Sequence, residues 1–148
     1  MNIFLQLIAA CFGTISFAVI FEVPKKYYFS VGIIGAIGWG VYLAVKYTFH
    51  TPVIANFTAS FVLIYLSREM AYKLKAPVTI FLLCGIFSLA PGLGLYNFTY
   101  AFFNNVDSNI GGLSEIVLKS AIAISSGIAL GYQLPASCFY YYRKLHKK

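Results

Sequence analysis

The chain has 148 residues, 60% hydrophobic and 10% charged, with a mean hydropathy of +0.79. A soluble domain of this length would carry about a quarter charged residues and could not hide so much apolar surface, so the composition calls for an integral membrane protein. The net charge of +7 does not indicate nucleic acid, because the basic residues sit in short clusters between apolar runs and at the C-terminus, as the positive-inside rule arranges them.

Taken in order, the apolar runs predict a single all-α transmembrane domain over residues 1–148 with five spans. The first covers about 3–21 and ends at Glu22-Val23-Pro24-Lys25-Lys26. Within it, Ile8-Ala9-Ala10-Cys11 resembles a lipoprotein cleavage box, but no basic segment precedes it and the hydrophobic run continues past the cysteine, so it reads as part of the span. The second, about 27–45, opens with Tyr27, Tyr28 and Phe29, rings suited to a headgroup boundary. Gly32, Ala36 and Gly40 recur every four residues beside Gly35 and Gly38, a face smooth enough for another helix backbone to approach. The third, about 52–66, is short and carries Asn56, Thr58 and Ser60. Ser67 to Lys75 then reads as a charged cytoplasmic link. The fifth, about 113–134, has Gly127 and Gly131 in a G-x-x-x-G and Ala121, Ser125 and Ala129 at the same spacing. Phe139 to Tyr142 form an aromatic belt before the basic tail 143–148.

The fourth run, about 78–103, organises the rest. As one helix it would be roughly 40 Å long, whereas a bilayer core of about 30 Å needs only about 20 residues. Pro91 removes the N–H that would bond the carbonyl of Phe87 and clashes with it, and Gly92 and Gly94 add backbone freedom, so the span is predicted to break at Ser88–Gly92, near the bilayer midplane. Broken backbone at that depth survives only if protein covers it or it lines a wet cavity.

The chemistry legible in the residues is sparse. There is no catalytic constellation, no metal cluster around the isolated His50 and His146, and no cofactor motif, so catalytic, metal and cofactor sites are all expected to be absent. Cys11, Cys84 and Cys138 lack Cys-x-x-Cys spacing and read as buried, inert thiols. Glu115 and Lys119 share a helix face, where they form either a salt bridge or, with Lys119 facing a water-filled path, an attractor for an anion. A half-helix starting at Pro91 would aim unpaired N–H groups at the gap, as the discontinuous helices of secondary transporters do, and a proline kink used only for packing is the alternative. The predicted substrate-binding set is Ser88, Pro91, Gly92, Gly94, Asn97, Thr79 and Lys119, with Asn97 and Thr79 as the polar groups flanking the break. Asn56-Phe57-Thr58 with Phe61 echoes Asn97-Phe98-Thr99 with Phe102; both are formal glycosylation sequons, but both fall inside predicted spans.

The run Leu74 to Leu82, followed by Gly85-Ile86, Leu89-Ala90-Pro91-Gly92 and Tyr96, resembles the signature of the threonine/serine exporter family, specifically its small split subunit. Phe21 to Lys26 and Gly35 to Trp39 are similar too, while the family often has proline where this chain has Cys84 and Ser88. The resemblance implies export of small carboxylate-bearing metabolites, threonine and serine or dicarboxylates, driven by an ion gradient, together with a larger partner subunit. A chain this small is expected to need that partner or a homo-oligomer, held through the glycine faces of the second and fifth spans. The alternative is an assembly or stabilising subunit that contacts no substrate. The basic residues predict a cell (inner) membrane protein with the N-terminus outside and the C-terminus cytoplasmic.

Overall fold

The computed structural model describes residues 2–90, 92–104, 110–135 and 138–139. Among these, the regular structure is helical: α1 (Ile3–Ile20), a 3-10 turn (Lys25–Tyr27), α2 (Tyr28–Phe49), α3 (Pro52–Leu74), α4 (Val78–Leu89), α5 (Gly92–Phe103) and α6 (Ile110–Gln133).

Local backbone chemistry sets three of the turns. Glu22, His50 and Lys75 adopt left-handed φ values of 53°, 53° and 50°, each just past the end of a helix, and a proline follows two residues later at Pro24, Pro52 and Pro77. A left-handed residue turns the chain away from the helix axis, and proline cannot extend the helix it has left. At the end of α1 the Val23 N–H donates to the Ala18 carbonyl and the Glu22 N–H to that of Val19, a Schellman arrangement whose outer residues, Ala18 and Val23, are both buried.

These turns lay α1 to α4 side by side in alternating directions. Adding a Cβ to Gly35 would drive it into Thr14 of α1, one on Gly32 would come within 2.8 Å of Ile15, and one on Gly85 of α4 within 2.6 Å of Leu63 of α3. Phe17 of α1 stacks on Phe87 of α4 at 4.5 Å, and Tyr27 meets Phe81 edge-on at 5.7 Å. α3 lies in the middle, packed against α2, α4 and α6.

α6 runs parallel to α3. Lys119 shares a groove with Val53, Gly127 lies against Phe57 and Ser60, and Gly131 against Ile64, so both helices advance in the same direction. The pair α4 and α5, bent by 57°, therefore carries the chain from the Leu74 end of α3 back to its Pro52 end. As a result, Lys25, Lys26, Arg68, Lys73 and Lys75 gather at one end of the bundle.

Several expectations change. Among the described residues, three helices are long and apolar enough to cross a membrane, Ile3–Ile20, Lys25–Phe49 and Gly111–Gln133, with the bent pair as a fourth, where five spans were expected. The difference is α3. The stretch 67–74, expected to be a link, continues this helix, so α3 mixes an apolar half with Arg68, Glu69 and Lys73. A helix enclosed by three others meets little lipid and need not be apolar all round.

The glycines expected to hold a partner are used within the chain, Gly32 and Gly35 against α1, Gly38 against α3, and Gly127 and Gly131 against α3. The parallel row Ala121, Ser125 and Ala129 is exposed. Of the expected buried thiols, Cys84 is buried but Cys138 is exposed.

Phe139, expected in a lipid-facing belt, is instead fully buried, stacked on Tyr65 at 5.2 Å and lying 4.3 Å beneath the Arg68 guanidinium. Arg68 Nη1 donates to the carbonyls of Gly131, Tyr132 and Leu134. These acceptors lie where a helix end leaves carbonyls without partners and where the helix dipole favours a cation. Tyr140 to Tyr142 and the tail 143–148 lie outside the described residues, as does Asp107.

Candidate functional site

α4 ends at Leu89 and α5 begins at Gly92, so the break falls within the predicted Ser88–Gly92. Ala90, with φ −56° and ψ 134°, has left the helical region, as the residue before a proline is pushed to do. Pro91 itself lies outside the described residues. The Gly92 N–H donates to the Ala90 carbonyl at 2.7 Å, so the first of the amides expected to face a carboxylate is already bonded within the chain. An added Cβ on Gly92 would meet nothing within 4 Å.

Beside the last turn of α4 is an open cleft of about 290 Å³. Gln6, Ala9, Ala10, Gly13, Thr14 and Phe17 of α1 form one wall, with Trp39 of α2 and Phe87 and Ser88 of α4 opposite. The lining is mainly apolar with a few polar groups, the usual make-up of a small-molecule site. The Ser88 hydroxyl donates to the Gly85 carbonyl at 2.7 Å and that of Thr14 to the Ala10 carbonyl at 2.6 Å. Both oxygens keep lone pairs with which to accept from a guest. Among the described residues no charged side chain lines the cleft, so a carboxylate entering it would need backbone amides or a charged group that these lining residues do not supply.

The structure brings only part of the predicted set together. Ser88 lines the cleft, and Gly92, Gly94 and Asn97 follow the break on α5. That helix leans on α6, and Ala101 is its one buried residue. Asn97 is exposed and Gly94 partly so. Thr79 does not flank the break. It sits nine residues before Ser88, roughly 13 Å along α4, in a separate cavity of about 210 Å³ with Phe21, Val23, Ile80, Leu83 and Cys84. The α4 axis separates the two positions, and sequence proximity to a proline could not reveal that.

Lys119 lies elsewhere again, in a groove of about 330 Å³ between α3 and α6. Glu115 Oε1 accepts from its Nζ, and the two side chains are 61% and 58% exposed, so the salt-bridge reading is the one the geometry favours. Among the described residues no group of His, Cys, Asp and Glu could hold a metal ion.

Gln6, Thr14 and Trp39 were missed as site residues. Gln6 and Thr14 are visible in the sequence as polar interruptions of the first apolar run, and Trp39 is the single tryptophan. Nothing local says that they face one another across a cleft.

Comparison with known proteins adds the family. A family model described as threonine/serine exporter matches residues 6–138. No curated protein and no solved structure matches the chain. That match spans every helix from Gln6 onward, the cleft and the break alike, and the chain belongs to the threonine/serine exporter family.

Proposed function

We propose that this chain is a membrane subunit of a secondary exporter of small carboxylate-bearing metabolites, threonine and serine or dicarboxylates, and that the solute is handled where α4 breaks. The observation that carries this reading is the break bordering an open, mostly apolar cleft at Ser88, in a chain whose family exports amino acids. Discontinuous helices next to a cavity are how secondary transporters present backbone polar groups to a solute without exposing them to lipid.

The reading includes five crossings of the cell membrane, with the N-terminus outside and the C-terminus cytoplasmic. It is supported by the parallel run of α3 and α6, which an odd number of crossings between them produces, and by the basic cluster at one end of the bundle. It also includes a larger partner subunit, which would balance a carboxylate that the described lining residues of the cleft leave without a charged partner.

The test is export of labelled threonine, serine and succinate from cells expressing the chain with whatever larger membrane subunit co-purifies with it. Because an added side chain at Gly92 meets open space, Gly92→Val should leave the complex intact and abolish export. Export at the unmutated rate by that variant, for a solute the complex demonstrably carries, would remove the break from the site. Failure of the unmutated complex to export any of the three would leave the assembly-subunit alternative.

A further inference from the structure

The hydroxyls that line the cleft beside the break have already spent their hydrogens. Thr14 donates its own to the Ala10 carbonyl at 2.6 Å and Ser88 to the Gly85 carbonyl at 2.7 Å, so towards a guest both oxygens can only accept. The Gly92 N–H, the first amide described after the break, is likewise bonded, to the Ala90 carbonyl. A carboxylate is itself an acceptor and would meet lone pairs here, whereas an ammonium brings three donors and no acceptor. The Gln6 amide and the Trp39 indole can still donate, but neither balances a full negative charge. Among the described residues the lining carries no cation that would repel an ammonium.

Three rings share this lining, and two of them are taken up by each other. Phe17 and Phe87 stack at 4.5 Å, and Phe21 adds to the pair at 6.4 and 5.5 Å. Trp39 is placed differently. Half-buried on α2, it stacks on Tyr42 at 4.9 Å, which covers one face of the indole, fixes its plane and leaves the other face without a ring contact among the described residues. Of the aromatic side chains indole attracts a cation best, and the attraction strengthens where water is kept out. The cleft volume of about 290 Å³ lies at the small end of ligand sites, which run from about 300 to 1,000 Å³, so it suits a small metabolite.

We propose that this cleft is an ammonium subsite and that it sets the orientation of the exported solute. Trp39 lies over the ammonium, the Ser88 and Thr14 oxygens accept its hydrogens, and the carboxylate points out of the cleft towards a charge that the lining does not supply. The solute is held by its amino end, and a molecule without an ammonium gains nothing from this wall. The inference rests on the exporter reading and adds to it a binding residue, Trp39, and a direction of binding.

The experiment uses the intact complex, purified with the larger subunit that accompanies it and loaded with labelled serine. Two fragments of serine compete for the site: 2-aminoethanol, which keeps the ammonium and the hydroxyl, and 3-hydroxypropanoate, which keeps the carboxylate and the hydroxyl. On the unmutated complex 2-aminoethanol should displace serine at least tenfold better, because a site built around a polar group rejects the analogue that lacks it. Trp39→Leu, apolar but without a π face, should weaken 2-aminoethanol at least fivefold and 3-hydroxypropanoate less than twofold, and Trp39→Phe should recover part of the loss. Ser88→Ala, on a different helix, should weaken 2-aminoethanol at least threefold with the same selectivity. Each variant is read as the ratio of two competitors on one protein, so a general loss of folded complex lowers both alike and cannot imitate the effect.

Equal or reversed displacement by the two fragments on the unmutated complex, or equal losses for both in Trp39→Leu and Ser88→Ala, overturns the assignment. The failures are distinguishable. A complex that exports none of threonine, serine and succinate removes the exporter reading and this inference with it, whereas one that exports succinate but holds neither hydroxy amino acid removes this inference alone.

Discussion

Gly127 tests how the bundle is held together. A Cβ built there would stand 2.6 Å from the Phe57 carbonyl oxygen and 3.3 Å from the Phe61 nitrogen, with Ser60 Oγ closer still. Ordinary contact begins at 3.4 Å, so α6 would have to retreat by the difference of 3.4 and 2.6, about 0.8 Å, at this point. Two of the three obstacles are backbone of the central helix and cannot rotate away.

Overpacking of this kind typically costs about 1–3 kcal/mol, and retreat by most of an ångström forfeits a quarter to a half of the dispersion attraction along the opened seam. Alanine returns up to about 1 kcal/mol through its better helix propensity. The net expectation for Gly127→Ala is a loss of about 1–2 kcal/mol. Gly13, in the middle of α1, is the control, because a Cβ there meets nothing within 4 Å. Gly13→Ala should show the propensity gain alone, up to about 1 kcal/mol.

The assay is thermal unfolding in detergent, followed by the exposure of the buried Cys84 to a fluorogenic thiol dye, in a background where Cys11 and Cys138 are serine. If both variants shift the midpoint in the same direction, close approach of α3 and α6 at Gly127 is not what the glycine serves. The same result would return Gly127 to the partner-facing role that its G-x-x-x-G spacing first implied.

Two further outcomes are expected. Arg68→Leu should destabilise the fold by about 2–4 kcal/mol, because three carbonyls at the end of α6 lose a charged donor, and Arg68→Lys should restore less than half of that, since an ammonium lacks the planar guanidinium that also covers Phe139; chemical unfolding of the three proteins checks both. For topology, in a cysteine-free background a cysteine introduced at Lys147 should be labelled only from the cytoplasmic side and one at Asn109, likewise outside the described residues, only from the opposite side. Labelling of both from one side would refute five crossings.

Composition alone establishes that this chain belongs in a membrane, and its runs of apolar residues are long enough to mark α1, α2 and α6, because helices in contact with lipid must be apolar over a bilayer's thickness whatever they pack against. The break in the fourth run was equally legible, since Pro91 acts on its own neighbours and needs no tertiary context. The places of Pro24, Pro52 and Pro77 likewise foretell where helices cannot continue.

What the sequence could not show is which faces meet. The glycines of α2 and α6 read as partner surfaces until the structure put Thr14, Leu63, Phe57 and Ile64 against them, because small-residue spacing shows that a backbone will come close without showing whose. α3 looked too short and its charged end looked like a link, since hydropathy is a statement about lipid contact and an enclosed helix is excused from it. The cleft gathers Gln6, Trp39 and Ser88 from three helices, and Asn56 is buried within a span while Asn97, in the same Asn-Phe-Thr triplet, is exposed. Identical local sequence met opposite surroundings, and only the packing of α3 between three neighbours, against α5 leaning on one, decides between them.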